Sequence, residues 1–281
     1  MSDVSRVLFD VPGPRARRRV RIATAVVSII VLAGLALAVW QFDKHGQLAS
    51  QKWLPFRVAP IWTKFLLPGL ANSLKVTAVA TVMALPLGVL VALARLSRAL
   101  PIVIVGRAYI ELFRSLPVLL LLYVFQLGLP RGGVNLPIFW QLTFPIVISA
   151  VAYVGALVGA GVAALDRGQT EAALSIGLRY WQMMRLVVLP QVLRRLLPAL
   201  ITEVVAIFIA TTLGYAVSYT ELLHNAQTIG QFYQVPVQAY LVVAAIYIAI
   251  NSTLSFTATR LQRRQTGGRA FFGGDQMETV H

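Results

Sequence analysis

Six long apolar runs constrain this chain more than any other feature: they lie at roughly 22–42, 65–94, 101–129, 138–163, 195–219 and 237–258. Each reaches the ~20 apolar residues that an α-helix needs to cross a hydrocarbon core. The expectation is an all-α polytopic membrane protein of about six transmembrane helices. Charged residues make up 12% of the chain, against about 25% in soluble domains, so too little polar surface remains to cover a soluble fold. Without cysteine, the chain has no disulfide, thiolate metal site or cysteine nucleophile.

A net charge of +15 raises the question of nucleic acid, and the placement of the charges answers it. If both termini are cytoplasmic, 18 basic residues fall in inner segments and 5 in outer ones, with Lys75 and Arg114 inside spans. That bias sets the orientation and holds the arginines at an anionic leaflet, so no nucleic-acid partner is expected. The expected location is the cell membrane, multi-pass. The basic start, the first apolar run and Ala36-Leu37-Ala38 imitate a cleaved signal peptide. The uninterrupted stretch from Ile22 to Phe42 fits a full span better.

The connections differ in kind. Residues 43–64 form a polar outer loop, 95–100 a tight inner one and 129–137 a turn-rich outer one. The longest inner connection, 164–194, keeps helical periodicity. Within it Glu171 to Ile176 predicts a short helix with a carboxylate in its first turn. Gly177 is expected to end that helix with a positive backbone angle, and Tyr180 to Val188 to form a second helical stretch stopped by Pro190. The tail is expected to be disordered. The resulting division is 1–21, a basic cytoplasmic segment; 22–64, an N-terminal helix and outer loop; 65–258, a five-helix core; and 259–281, a cytoplasmic tail.

Glu171, Ala172, Ala173, Gly177, Val187, Leu189 and Pro190 follow the pattern Glu-Ala-Ala, three residues, Gly, nine residues, an aliphatic residue, one residue, Leu-Pro. This resembles the signature of ABC importer permeases. The resemblance implies the type I permease fold and makes the hairpin a coupling helix docked in a groove of a separate ATPase. Ala172 and Ala173 would then permit close approach, Glu171 would offer an acceptor, and Gly177 would set the hairpin angle. An interfacial amphipathic helix is the alternative. No Gly-x-x-x-x-Gly-Lys-Ser/Thr loop occurs, so ATP is expected on the partner ATPase; no cofactor, metal or enzymatic activity is expected of this chain.

Three further segments are similar to the polar amino acid uptake branch of these permeases: Gly69 to Thr77, Tyr109 to Pro117, and Gly168 to Ala173. The added N-terminal span, the outer loop and Leu213-Gly214-Tyr215 resemble actinobacterial glutamate permeases. Candidate pathway residues follow. Glu111 and Arg114 stand three apart on one helix face at membrane depth, where charges are rare and normally paired. Pro117 frees a backbone carbonyl that needs a cavity or neighbour. These three predict either a broken helix lining the path or an ion pair in register. Glu203 faces the path, a partner permease, or Arg194 and Arg195 at the inner interface. Lys75 reads as a snorkelling anchor, and Asn72, Thr77 and Thr81 as a polar stripe or a packing face. Thr211 and Thr212 complete the candidates.

The chain departs from that branch at Ala156 and Gly159, where it usually carries Glu and Arg, and at Ile209 and Ala210, where it usually carries Lys and Asp. Losing a whole charge network to apolar residues is compatible with stability. Gly155, Gly159 and Gly161 favour close helix contact. The departures imply a second, different permease subunit that carries the missing charges. The expected assembly is two permeases, two ABC ATPase subunits and an extracytoplasmic solute-binding protein, importing a polar amino acid, glutamate first. The rivals are a permease for another small solute and a non-transporting scaffold that keeps the coupling loop.

Overall fold

The computed structural model describes residues 13–267. Among these the chain is helical, with no β-strand, and it divides into two compact units between Arg57 and Val58. In the first, α1 (Pro14–Lys44) starts on a proline that fits a first helical turn. From Arg18 to Lys44 every side chain is exposed, so the apolar stretch from Ile22 to Phe42 presents hydrocarbon on all sides, as a lipid-embedded helix does. A 3-10 helix over Ser50–Arg57 ends the unit, held by Lys52 Nζ donating to Gln47 Oε1 at 2.9 Å.

The second unit comprises α2 (Ala59–Arg95), α3 (Leu100–Ser115), α4 (Val118–Arg131), α5 (Ile138–Ala163), α6 (Arg167–Ser175), α7 (Tyr180–Val217), α8 (Leu222–Phe232) and α9 (Pro236–Gly267). Among the described residues, α1, α2, α5, α7 and α9 are long and apolar enough to cross a membrane, and α3 with α4 forms a pair bent by 97° that is either a sixth, broken span or a re-entrant loop. The third apolar run is therefore two helices rather than one straight span. Leu116, preceding Pro117, is pushed into extended backbone with φ −87° and ψ 128°. Ser115 Oγ donates to the Leu112 carbonyl at 2.8 Å, covering one of the acceptors that the broken helix leaves. The helical tail also runs further than expected: α9 continues to Gly267, so 259–267 is ordered helix, and the rest of the expected tail lies outside the described residues.

Pro190 does not stop the hairpin's second arm. A π-turn over Met184–Val188 precedes Leu189-Pro190, and the chain stays helical to Val217. The same device recurs at Trp62–Leu66 before Leu67-Pro68 and at Val124–Gly128 before Leu129-Pro130. Proline lacks an N–H and its ring collides with the carbonyl four residues back. A turn bonded to the fifth residue shifts that carbonyl and needs one donor fewer, so each proline is absorbed. For this reason α2 begins at Ala59, not near residue 65, and the fifth apolar run belongs to a helix that begins in the hairpin.

The core is built on α5, whose buried side chains run from Leu142 to Val158. Against it α2 lays Val76, Ala80, Ala84, Gly88 and Ala92, one every fourth residue and all buried. Lipid removes the hydrophobic drive between membrane helices, so close backbone approach through small residues supplies the packing. A Cβ on Gly88 would lie 2.5 Å from Val154, and one on Gly161 would lie 2.8 Å from Val192 of α7. Gly155 is likewise tight against the Gly88 carbonyl. Gly159 is not: its nearest neighbour would be Arg95 Nη1 at 4.0 Å.

Candidate functional site

The hairpin starts where Asp166 caps α6, its Oδ1 accepting from Gly168 N at 2.9 Å. Because the cap lies at Asp166, Glu171 sits one turn into α6 and not in its first turn. Gly177, at φ +84°, ends the helix. Leu178 N donates to the Ala173 carbonyl at 3.3 Å and Gly177 N to that of Leu174 at 3.0 Å. These two bonds form a Schellman motif, which needs a left-handed residue at this position. The next arm opens with Arg179 N donating to Gln182 Oε1 at 2.9 Å.

Two contacts fix the hairpin to the end of α2, and a third joins its two arms. Tyr180 O–H donates to the Leu96 carbonyl at the end of α2 at 2.6 Å, the Arg98 guanidinium lies 4.6 Å from the Tyr180 ring, and Gln191 Nε2 donates to Gln169 Oε1 at 3.2 Å. Ala173 is buried with Leu165, Met183, Met184, Val188 and Val192. Ala173 therefore serves the chain's own packing, and its small size is not available to an outside partner. Glu171, Ala172, Leu174, Ile176, Gly177, Trp181 and Pro190 are exposed, Ile176 at 78%, while Leu189 packs inward on the cluster. The result is a capped hairpin whose exposed residues mix small and apolar side chains with Asp166, Glu171, Arg167, Arg179 and Arg185.

The pathway candidates scatter. Glu111 does not pair with Arg114: its Oε1 lies 3.7 Å from Arg107 Nε, both groups exposed. Arg114 lies instead over the ring of Tyr153 on α5, 5.6 Å from its centroid. Bending at Pro117 carries α4 away and leaves Arg114 at the end of α3. Glu203 has no ion-pair or hydrogen-bond partner among the described residues, so the pairing with Arg194 or Arg195 is not formed. Thr77 and Thr212 bond back to their own helices, at the Ser73 and Ile209 carbonyls. Thr211 is fully buried and bonds to the Phe208 carbonyl. Asn72 leaves the expected stripe and donates to the Thr220 carbonyl at 2.8 Å. Lys75 Nζ lies 5.2 Å from the Phe139 ring, a cation–π contact.

A buried polar knot at the start of α8 has no counterpart in the sequence reading. Glu221 is fully buried and caps α8, accepting from Leu223 N at 2.7 Å and His224 N at 2.6 Å. Tyr247 O–H on α9 donates to it at 3.3 Å, and Leu222 N donates to Ser73 Oγ of α2. Burial pushes the Glu221 carboxyl up to about 7, against the three hydrogen bonds that favour its charged form. The neighbouring Tyr219 phenol is raised by burial and then by the Glu221 charge. A glutamate before an apolar segment was the only available signal, and helix-capping glutamates are not distinctive.

This fold is shared with a solved structure described as an amino acid ABC transporter with histidines: the two are 32% identical, with a TM-score of 0.68, over 72% of this chain and 95% of that one. Apolar helices over a clamped inner hairpin are the architecture of type I permeases of ABC importers. The sequence profile of the binding-protein-dependent transport system inner membrane components matches residues 84–267, and the chain belongs to that family. The glutamate/aspartate import permease protein GltK of Escherichia coli is 33% identical over 71% of this chain and 93% of its own length. The glutamate transport system permease protein GluD of Corynebacterium glutamicum is 32% identical over 80% and 84%. The chain is thus a multi-pass membrane component of a transporter and a relative of amino acid permeases.

Proposed function

We propose that this chain is one permease subunit of an ATP-driven importer of a polar amino acid, glutamate or a near relative. A separate ATPase pair would dock on the hairpin, and a solute-binding protein would deliver substrate at the opposite face. The observation that carries this reading is the hairpin itself: an exposed, capped element, bonded to the end of α2 and continuous with α7, so that a push at Ile176 or Trp181 would reach two core helices. Alternating access then follows as rigid-body movement of packed helices. The arginine bias supports a cytoplasmic hairpin and cytoplasmic termini. The names of the relatives support glutamate, and the apolar residues at Ala156, Gly159, Ile209 and Ala210 support a second, different permease as partner.

The test is uptake of radiolabelled L-glutamate into proteoliposomes holding this chain, its genomic-neighbour permease and ATPase, with binding protein outside and ATP inside. ATP-dependent accumulation is the expected result. ATPase docking and turnover with no amino acid accumulated would refute transport and leave a scaffold.

A further inference from the structure

At the end of the core far from the hairpin, a cavity of about 470 Å³ is lined by Lys64, Asn72, Thr220, His224, Asn225 and Thr228. The hairpin docks beside Leu96, just past the end of α2, and the cavity lies at its start. Between the cavity residues Lys64 and Asn72 and the hairpin contact at Leu96, α2 runs about 36–48 Å of helix.

Irregular backbone builds this cavity. The π-turn over Trp62–Leu66 carries Lys64, and Ser218, at φ 57°, turns the chain left-handed into Thr220. Side-chain amides tie the pieces: Asn225 Nδ2 donates to the Phe65 carbonyl at 2.8 Å, and Asn72 Nδ2 to that of Thr220 at 2.8 Å. Each bond uses an amide N–H and leaves that amide's oxygen without a hydrogen bond among the described residues. The walls are held in place before any ligand arrives, which lowers the ordering cost of binding.

The polar groups are unbalanced in charge. Lys64 has no acidic partner among the described residues. His224 lines the cavity, and its Nδ1 is buried with no hydrogen-bond partner among the described residues, a state that costs free energy. Glu221 adjoins the cavity in sequence, but its carboxylate is turned inward onto Leu223 N, His224 N and Tyr247. Two other cavities, between α2, α3 and α5, are lined almost wholly by apolar side chains.

We propose that this cavity is a receiving site for a free amino acid bearing a side-chain carboxylate. Lys64 and His224 take the side-chain carboxylate, and the amide oxygens of Asn72 and Asn225 take the α-ammonium. The volume is within the range of small-molecule sites. The proposal rests on the reading of the chain as an amino acid permease and adds to it a station outside the mid-membrane path.

The experiment is equilibrium binding of radiolabelled L-glutamate to the purified full chain in lipid nanodiscs, without binding protein or ATPase. Saturable binding is expected, displaced by L-aspartate and poorly by L-glutamine. Lys64→Ala and His224→Ala should each weaken it about tenfold or more, as loss of a hydrogen bond to a charged group does. Lys64→Arg should retain it, and unchanged melting of Lys64→Ala shows that the exposed substitution leaves the fold intact. Binding indifferent to both alanine substitutions overturns the site, equal displacement by glutamine overturns its carboxylate chemistry, and no saturable binding overturns the proposal. So does a Lys64→Ala chain whose only defect is weaker association with the binding protein, since the carboxylate would then be a docked side chain. Failure of wild-type uptake in the full assembly is a separate readout and strikes the permease reading.

Discussion

Replacing Glu221 by glutamine separates the cost of a buried charge from the value of a helix cap. Burial pushes the folded carboxyl from the ordinary 4.5 up to about 7, so the folded state holds its proton more tightly than the unfolded state does. Stability from this group is fully present below pH 4.5 and is lost as pH rises toward 7. The difference of 2.5 units from the same two values corresponds to about 3 kcal/mol in all, of which about 2 kcal/mol falls between pH 5.5 and pH 8. For a domain of this size, ~1 kcal/mol moves the melting midpoint by about 2–4 °C. The chain in detergent should therefore lose roughly 4–8 °C between pH 5.5 and pH 8 relative to Glu221→Gln, which keeps an amide oxygen at the cap but cannot ionise. Taking the difference between variant and wild type cancels every other titrating group. A difference independent of pH would refute the burial argument. A constant offset alone would show that only the cap matters.

The helix crossing gives a paired prediction: Gly88→Ala places a methyl 2.5 Å from Val154 and should cost about 1–3 kcal/mol. Gly159→Ala meets nothing nearer than 4.0 Å and should stay within ~0.5 kcal/mol in the same melting assay. Tyr180→Phe removes the 2.6 Å bond to the Leu96 carbonyl. It should cost about 1 kcal/mol and reduce uptake per ATP hydrolysed, with the permease still inserted. Gly177→Pro, at φ +84°, cannot form the Schellman turn, and it and Glu171→Lys should uncouple ATPase from uptake; full uptake by both would remove the hairpin from the coupling path.

What the sequence made legible was whatever depends on solvent. Long apolar runs and the arginine count need no knowledge of tertiary contacts, and Gly177 followed from local backbone geometry. The misreadings share a cause. Pro190 looked like a stop because proline rules assume an α-helical ladder, and a π-turn changes that ladder with no composition of its own. Glu111 and Arg114 looked like a pair because they stand three apart, yet Arg107 sits four residues from Glu111 and Tyr153 waits on another helix. The Glu221 knot joins residues as distant in sequence as Ser73 and Tyr247, and only the fold brings them together. The small-residue face at Val76, Ala80, Ala84, Gly88 and Ala92 was readable in principle. Its period of four was hidden because the residues between are equally apolar.

The missing pathway charges take on a different meaning once the surviving ones are located. The resemblance to the amino acid branch implies two acids and two bases at four positions that are Ala156, Gly159, Ile209 and Ala210 here. Arg114 is left over Tyr153 with no carboxylate, since Glu111 is engaged by Arg107. Arg95 Nη1 stands beside the space that a side chain at Gly159 would occupy, and it has no acidic partner among the described residues. Arg114 therefore lies against α5, while Arg95 ends α2 beside the hairpin. A cation without an acidic partner in a low dielectric is costly until an anion arrives, so a path past Arg114 would favour anionic over cationic solutes. Within the proposed assembly this argues for an acidic amino acid over arginine. Excess unlabelled L-aspartate should compete with glutamate uptake where L-arginine does not, and Arg114→Gln should narrow that preference. Equal competition by arginine would mean that the partner permease sets the charge of the path.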